Sequence, residues 1–284
     1  MRDFDDTNIT DAVLKQVHKC TDTRSRVVFD ALVRHMHAFI QEVEPTEEEW
    51  AQGIKFLTET GQMCSETRQE FILLSDTLGV SMLVDAINHR SDGAATETTV
   101  LGPFYVDEPP KFDLGADISD GAEGVPLWVE GVVHDAKGQA LADAVVDTWH
   151  SGHDGFYDVQ TDSSDLKMRA RLRTDDNGRY YFRTVQPTFY PIPSDGPVGK
   201  MLAAQRRHSY RPAHVHFMIS APGHETLITH VFLDDDPYLD SDVVFGVKNS
   251  LIKKLEPVRG DYGIDNGVKL TYDFTLKARS HASN

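Results

Sequence analysis

The chain has 284 residues, 40% of them hydrophobic, with 45 acidic against 28 basic residues and a formal net charge of −17. That is enough for one large domain or two small ones with a proper core, and its acidity argues against duplex nucleic acid or an anionic membrane as partner. No apolar run approaches the roughly 18 residues of a membrane span, no signal-peptide core follows Met1-Arg2-Asp3-Phe4-Asp5-Asp6, and Cys20 and Cys64 are expected to be free and reduced, so a soluble cytoplasmic protein is the simplest expectation.

Three- and four-residue apolar spacing predicts helices over Asp11–Cys20, Arg24–Val43, Trp50–Thr60, Arg68–Leu78 and Ser81–Arg90. Thr46 with Glu49 is a capping box before Trp50, and Gly79 is a helix stop. The character changes after Ser91-Asp92-Gly93. An irregular, proline-rich stretch begins at Leu101-Gly102-Pro103-Phe104-Tyr105-Val106 and runs on as a connector to Gly124. Strand signals follow: Leu127–Val133, a turn at Asp135–Gly138, Ala144–Trp149, and a hairpin of Arg171–Arg173 with Arg179–Phe182 about Asp175-Asp176-Asn177-Gly178. His214–Ser220, Leu227–Leu233 and Val268–Leu276 are further strands, and Asp242–Leu255 reads as a short helix. There is no internal repeat. The expected fold is α+β: an N-terminal helical domain over 1–98, then a mostly antiparallel β-sandwich over 99–284.

His214 and His216 form an H-x-H within Arg211-Pro212-Ala213-His214-Val215-His216-Phe217. On a strand they face the same side, one pleat apart, and could share a metal ion. If Tyr157 (in Gly155-Phe156-Tyr157-Asp158) and Tyr190 (opening Tyr190-Pro191-Ile192-Pro193) joined them, the set would be N2O2 with two anionic oxygens, which suits a hard, highly charged ion such as ferric iron. Each part has an ordinary alternative: a structural H-x-H, hydrogen-bonded core tyrosines, and a surface charge at Arg211. The other i, i+2 pair, His35 and His37, lies in a predicted helix, where such positions diverge.

Taken together, Tyr190-Pro-Ile-Pro-Ser-Asp-Gly-Pro-Val-Gly199, Arg211-Pro-Ala-His-Val-His216, Asp147-Thr-Trp-His150 leading to Gly155-Phe156-Tyr157, and Leu101-Gly-Pro-Phe104 resemble the intradiol ring-cleaving dioxygenases over nearly the whole chain. The resemblance implies one Fe(III) per subunit, held by Tyr157, Tyr190, His214 and His216. Tyr190 would be the ligand able to dissociate and take a proton from the substrate, and Arg211 would stabilise negative charge developing on the ring. It also implies an aromatic ortho-diol and O2 as reactants, a homodimer built through the helical domain, and a bound phospholipid.

Within that family three features lean to hydroxyquinol (benzene-1,2,4-triol), cleaved to 3-hydroxy-cis,cis-muconate and its tautomer maleylacetate. They are Asp76, which could bind the extra hydroxyl, His230 just behind the ligand set, and the form of the Tyr190 segment. The implied pocket is Leu73, Asp76, Val100, Leu101, Gly102, Pro103, Phe104, Pro191, Ile192, Arg211, His230 and Val244. Leu101 is smaller than the aromatic residue expected there. Three alternatives stay open: a catechol or chlorocatechol 1,2-dioxygenase with the same site, a non-catalytic β-sandwich binding module, and an extradiol-type ferrous enzyme with two histidines and a carboxylate.

Overall fold

The computed structural model describes residues 2–65, 68–90, 93–161 and 165–279. The chain separates into two compact units, 1–59 and 60–284. The first holds α1 (Ile9–Val17), α2 (Thr23–Val43) and most of α3 (Glu47–Gln62). The capping box forms as expected: Glu49 accepts from the Thr46 N–H at 2.8 Å, and the Thr46 hydroxyl accepts from the Glu49 N–H at 3.2 Å. His35 and His37 both lie on α2, where His37 Nδ1 meets Thr10 Oγ1 at 2.9 Å.

In the second unit, α4 (Glu70–Thr77) and α5 (Val80–Asn88) are separated by Gly79 in the left-handed conformation, φ +73°. The division by compactness therefore falls earlier than the division by secondary-structure type expected at residue 98. Ser91 and Asp92, where the change of character is read, lie outside the described residues.

Two five-stranded sheets follow. One comprises β1 (Pro126–Asp135), β4 (Arg179–Val185), β10 (Glu256–Asp261), β11 (Ile264–Thr271) and β12 (Phe274–Leu276); the other runs in the order β3 (Arg169–Arg173), β2 (Val145–His150), β7 (His214–Ser220), β8 (Leu227–Leu233), β9 (Ile252–Lys253). A two-stranded pair, β5 (Tyr190–Pro191) and β6 (Tyr210–Arg211), lies apart from both. Pairing is mostly antiparallel, apart from β1 with β11 and β12 and β8 with β9. The α+β sandwich expected from the sequence is the one observed. Period-two alternation decides its faces. Val146, Ala170, Leu172, Val215, Phe217, Ile219 and Val231 pack inward against Leu127, Val129, Tyr180 and Phe182 of the facing sheet.

Three local expectations are corrected. The turn at Asp175–Gly178 forms, with Gly178 at φ +71°, but β3 and β4 do not make a hairpin. They belong to different sheets, because β3 pairs with β2 and β4 with β1. The strand expected over Val268–Leu276 breaks at Tyr272-Asp273. There the Asp273 carboxylate takes the Val132 N–H at 2.8 Å, and a Cβ on Gly131 would lie 1.8 Å from the Tyr272 carbonyl oxygen. Residues 242–255 contain no α-helix. The backbone wraps the Asp242 carboxylate instead, which accepts the N–H groups of Val244 (3.3 Å) and Gly246 (2.9 Å) and so competes with helical bonding. The sequence reading also missed α6 (Pro197–Ala204), which starts on a proline at its first turn.

His150, on the inner face of β2, bridges the two sheets. Its Nδ1–H donates to the Ser151 carbonyl at 2.7 Å, and its Nε2 accepts from the Thr184 hydroxyl at 2.7 Å. Burial pushes its pKa down to about 4. An unfolded histidine protonates near pH 6.5. Between those values the unfolded chain binds the extra proton, so the stabilisation is complete above pH 6.5 and is lost as pH falls toward 4. Urea titrations of the metal-free protein should show this acid loss, and His150→Gln should make its slope shallower by one proton. An unchanged slope would contradict the assignment.

Candidate metal centre

The outer face of the second sheet carries the histidines. His214 and His216 alternate with the core residues Val215 and Phe217 along β7 and are each 1% exposed. The His214 Nδ1–H donates to the Pro212 carbonyl at 2.7 Å, which leaves the Nε2 lone pair free to face the centre. His216 lies flat against Trp149, with centroids 4.6 Å apart and planes 14° apart. On another side Gly102 approaches it: a Cβ there would come 3.1 Å from His216 Cε1, and the backbone is left-handed, φ +79°. This position requires glycine for both reasons.

Tyr157 opens a single 3-10 turn (Asp158–Gln160) and is held by its own N–H donating to Gln160 Oε1 at 2.9 Å. Gly155, φ +84°, lets the chain turn beneath it, since a Cβ there would meet Tyr190 Cβ at 3.1 Å. Tyr190 is placed by β5 pairing with β6, where its partner is Arg211. The four side chains converge. Tyr157 Oη lies 3.0 Å from His216 Nε2, 3.4 Å from His214 Nε2 and 3.5 Å from Tyr190 Oη, and the two Nε2 atoms are 3.1 Å apart.

Ligand atoms about 2.0–2.2 Å from one ion, at the angles of a four- or five-coordinate shell, sit roughly 3–3.5 Å from each other. The spacing therefore fits a metal ion. So do the charges. Burial, with the neighbouring Tyr190, holds the Tyr157 phenol well above its ordinary pKa. Burial, with nearby positive charge and imidazoles, holds His214, His216 and His230 well below theirs. Neutral imidazoles with a phenol that resists ionising form a set that a highly charged cation would complete.

A cluster of His214, His216 and His230 also qualifies, with ligand atoms within 4.8 Å of one another. The Tyr157 oxygen is the tighter partner of His214 and His216, at 3.4 and 3.0 Å. His230 instead stacks on His214 (4.7 Å, 28°), and its Nδ1 faces Arg211 Nη2 at 3.4 Å. Arg211 is 3% exposed and held by Asp242: Nε donates to Oδ1 at 3.1 Å and Nη2 to Oδ2 at 3.3 Å, while Nη1 lies 3.3 Å from His214 Nε2.

A cleft of about 1110 Å³ is lined by Asp76, Val100, Leu101, Gly102, Pro103 and Phe104 of the expected pocket. Leu73, Pro191, Ile192, Arg211, His230 and Val244 are not among its lining residues. Ile192, Arg211, His230 and Val244 are buried, and Pro191 follows Tyr190 on β5. Asp76 is 7% exposed. Burial raises its pKa, against a Ser81 hydrogen bond and the Arg211 charge that lower it. The sequence reading missed Ser81, Val84, Asp85 and Asn88, which line the cleft from α5. Their three- and four-residue spacing is the signal that could have found them.

Residues 100–278 match the family model described as Dioxygenase, and residues 22–96 match that described as Catechol dioxygenase N terminus. The chain is 48% identical over 279 residues to a 6-chlorohydroxyquinol 1,2-dioxygenase of Cupriavidus pinatubonensis (strain JMP 134 / LMG 1197), covering 97% of this chain and 99% of the relative. It is 50% identical over 249 residues to a hydroxyquinol 1,2-dioxygenase of Nocardioides simplex, covering 88% and 85%. Among solved structures it resembles a hydroxyquinol 1,2-dioxygenase from Pseudomonas putida DLL-E4, with a TM-score of 0.91, 47% identity, and coverage of 96% of this chain and 99% of that one.

Proposed function

The chain belongs to the intradiol ring-cleavage dioxygenases, and from that premise we propose that it cleaves hydroxyquinol with O2 to 3-hydroxy-cis,cis-muconate, the tautomer of maleylacetate, at one Fe(III) per chain held by Tyr157, Tyr190, His214 and His216. The carrying observation is the approach of Tyr157 Oη to both Nε2 atoms and to Tyr190 Oη, at 3.0–3.5 Å. Ferric iron held there would supply the Lewis acidity to ionise the phenols and the diol.

The protein's own groups do the rest. Tyr190, as the ligand able to dissociate, would accept one of the two protons the diol loses. Arg211, fixed by Asp242 beside His214, stabilises negative charge as it develops on the ring. The walls Leu101–Phe104 orient the aromatic plane and exclude water.

Asp76 faces this cleft, and its raised pKa supports a carboxyl that pairs with a third hydroxyl on the ring. Asp76→Leu should cut kcat/KM for hydroxyquinol by roughly 5- to 150-fold, the equivalent of an unpaired buried hydroxyl at about 1–3 kcal/mol, and leave catechol much less affected. Oxygen uptake with each diol is the assay. Equal losses would remove Asp76 from recognition, and a wild-type preference for catechol or chlorocatechol would replace hydroxyquinol as the substrate.

The helical part, which we place at 1–98, supports a homodimer. Phe29, Leu32, Met36, Phe39 and Val43 of α2 are all exposed at helical spacing, an apolar stripe on which a bound phospholipid would also fit. Sedimentation should give twice the chain mass, and a monomer would count against the proposal. Cys20 and Cys64 are not in disulfides, which supports a cytoplasmic location.

A further inference from the structure

We propose that Arg169, a buried cation outside the ligand set, is a positioning residue for Tyr157. The starting observation is a row of side chains across one sheet. Register places Arg169 of β3 opposite Trp149 of β2, Trp149 opposite His216 of β7, and His216 opposite His230 of β8. Strand alternation puts all four on the outer face, and each is at most 2% exposed. The sheet that fixes His216 therefore also fixes the root of Arg169.

From that root the guanidinium reaches two groups next to Tyr157: the carboxylate of Asp158 and the carbonyl of Phe104. Its Nε donates to Asp158 Oδ2 at 2.6 Å and its Nη2 to Asp158 Oδ1, gripping the residue that follows Tyr157. Its Nη1 donates to the Phe104 carbonyl at 3.0 Å. The Phe104 ring stacks on the Tyr157 ring, with centroids 4.3 Å apart and planes 24° apart. The phenol is thus held through its own backbone neighbour and through the aromatic ring that covers it, and both holds end on one planar fork. Asp158 also accepts the N–H groups of Val159 (2.9 Å) and Lys167 (3.1 Å), which shapes the turn Tyr157 opens. A lysine could not make this three-way contact, because its ammonium has no rigid fork. A buried ion pair generally adds no stability over apolar residues of similar volume, so geometry accounts for this one better than stability does.

The inference rests on the proposed iron site, and the test separates the two. Folded apoprotein is titrated with ferric iron against a competing chelator, and spectra and steady-state kinetics are recorded on the loaded protein. Three variants are compared with wild type: Arg169→Lys, Asp158→Asn, and the pair Arg169→Met/Asp158→Asn, which leaves no buried charge unpaired and keeps a side-chain oxygen to accept a backbone N–H of the turn. The expected result is a ferric-iron Kd weakened about 10- to 100-fold in each folded variant, the range for partners that orient a metal ligand. A shifted tyrosinate band and a lowered kcat with little change in KM should accompany it. Wild-type iron affinity and spectrum in the folded variants, with only a lower melting temperature, would overturn the positioning role. A wild-type protein that takes up no ferric iron would sink the site itself, and the role of Arg169 with it.

Discussion

Tyr157→Phe is expected to fold normally and to lose more than 100-fold in turnover, together with the part of its visible colour that this phenolate supplies. The phenol ring is buried and stacked on Phe104 at 4.3 Å, and phenylalanine keeps that packing. What it removes is an oxygen within 3.5 Å of both imidazole nitrogens and of the second phenol. Without it the proposed set would have three donors and one fewer anionic charge to balance Fe(III). Since merely disturbing an outer partner of a metal ligand costs about 10- to 100-fold, loss of a ligand should exceed that range. Retention of wild-type activity and spectrum would show that Tyr157 does not touch the metal.

Arg211→Met should have the second large effect, and it has two separable parts. Asp242 is 5% exposed and faces the guanidinium, so removing the cation strands a buried carboxylate at a cost of about 3–5 kcal/mol. Turnover should also fall by roughly 10²–10³-fold, the magnitude for loss of a charge-stabilising donor. The double variant Arg211→Met/Asp242→Asn distinguishes the parts. Chemical denaturation should show stability largely recovered, while kcat stays low. If kcat recovered with stability, Arg211 would be only a structural partner of Asp242.

The legible parts of the fold are those set by local pattern. Val215, Phe217 and Ile219 alternate with His214 and His216, and that period alone decides which face of β7 packs inward and which carries the two histidines. The helices with apolar spacing also form, within a few residues of their expected ends. What local pattern does not decide is pairing. The Asn177-Gly178 turn is written in the sequence, but whether β4 returns to β3 or crosses to β1 depends on strand order. The stretch 242–255 reads as helical because its apolar residues recur suitably, while the carboxylate of Asp242, held by Arg211, draws the backbone around itself.

The same holds for the site. The H-x-H pair is local. Tyr157 and Tyr190, 33 residues apart in sequence, are joined to it by resemblance and not by any period. The row that runs from Arg169 through Trp149 to His216 is invisible in the sequence, because it exists only across three paired strands.

The most direct measurement is the absorption spectrum of the iron-loaded protein before and after anaerobic addition of hydroxyquinol. Two phenolates on ferric iron predict a broad visible charge-transfer band, red-brown to the eye, that moves to longer wavelength when the diol binds. A colourless iron-loaded protein, or a band indifferent to the diol, would contradict the site on which the proposed activity depends.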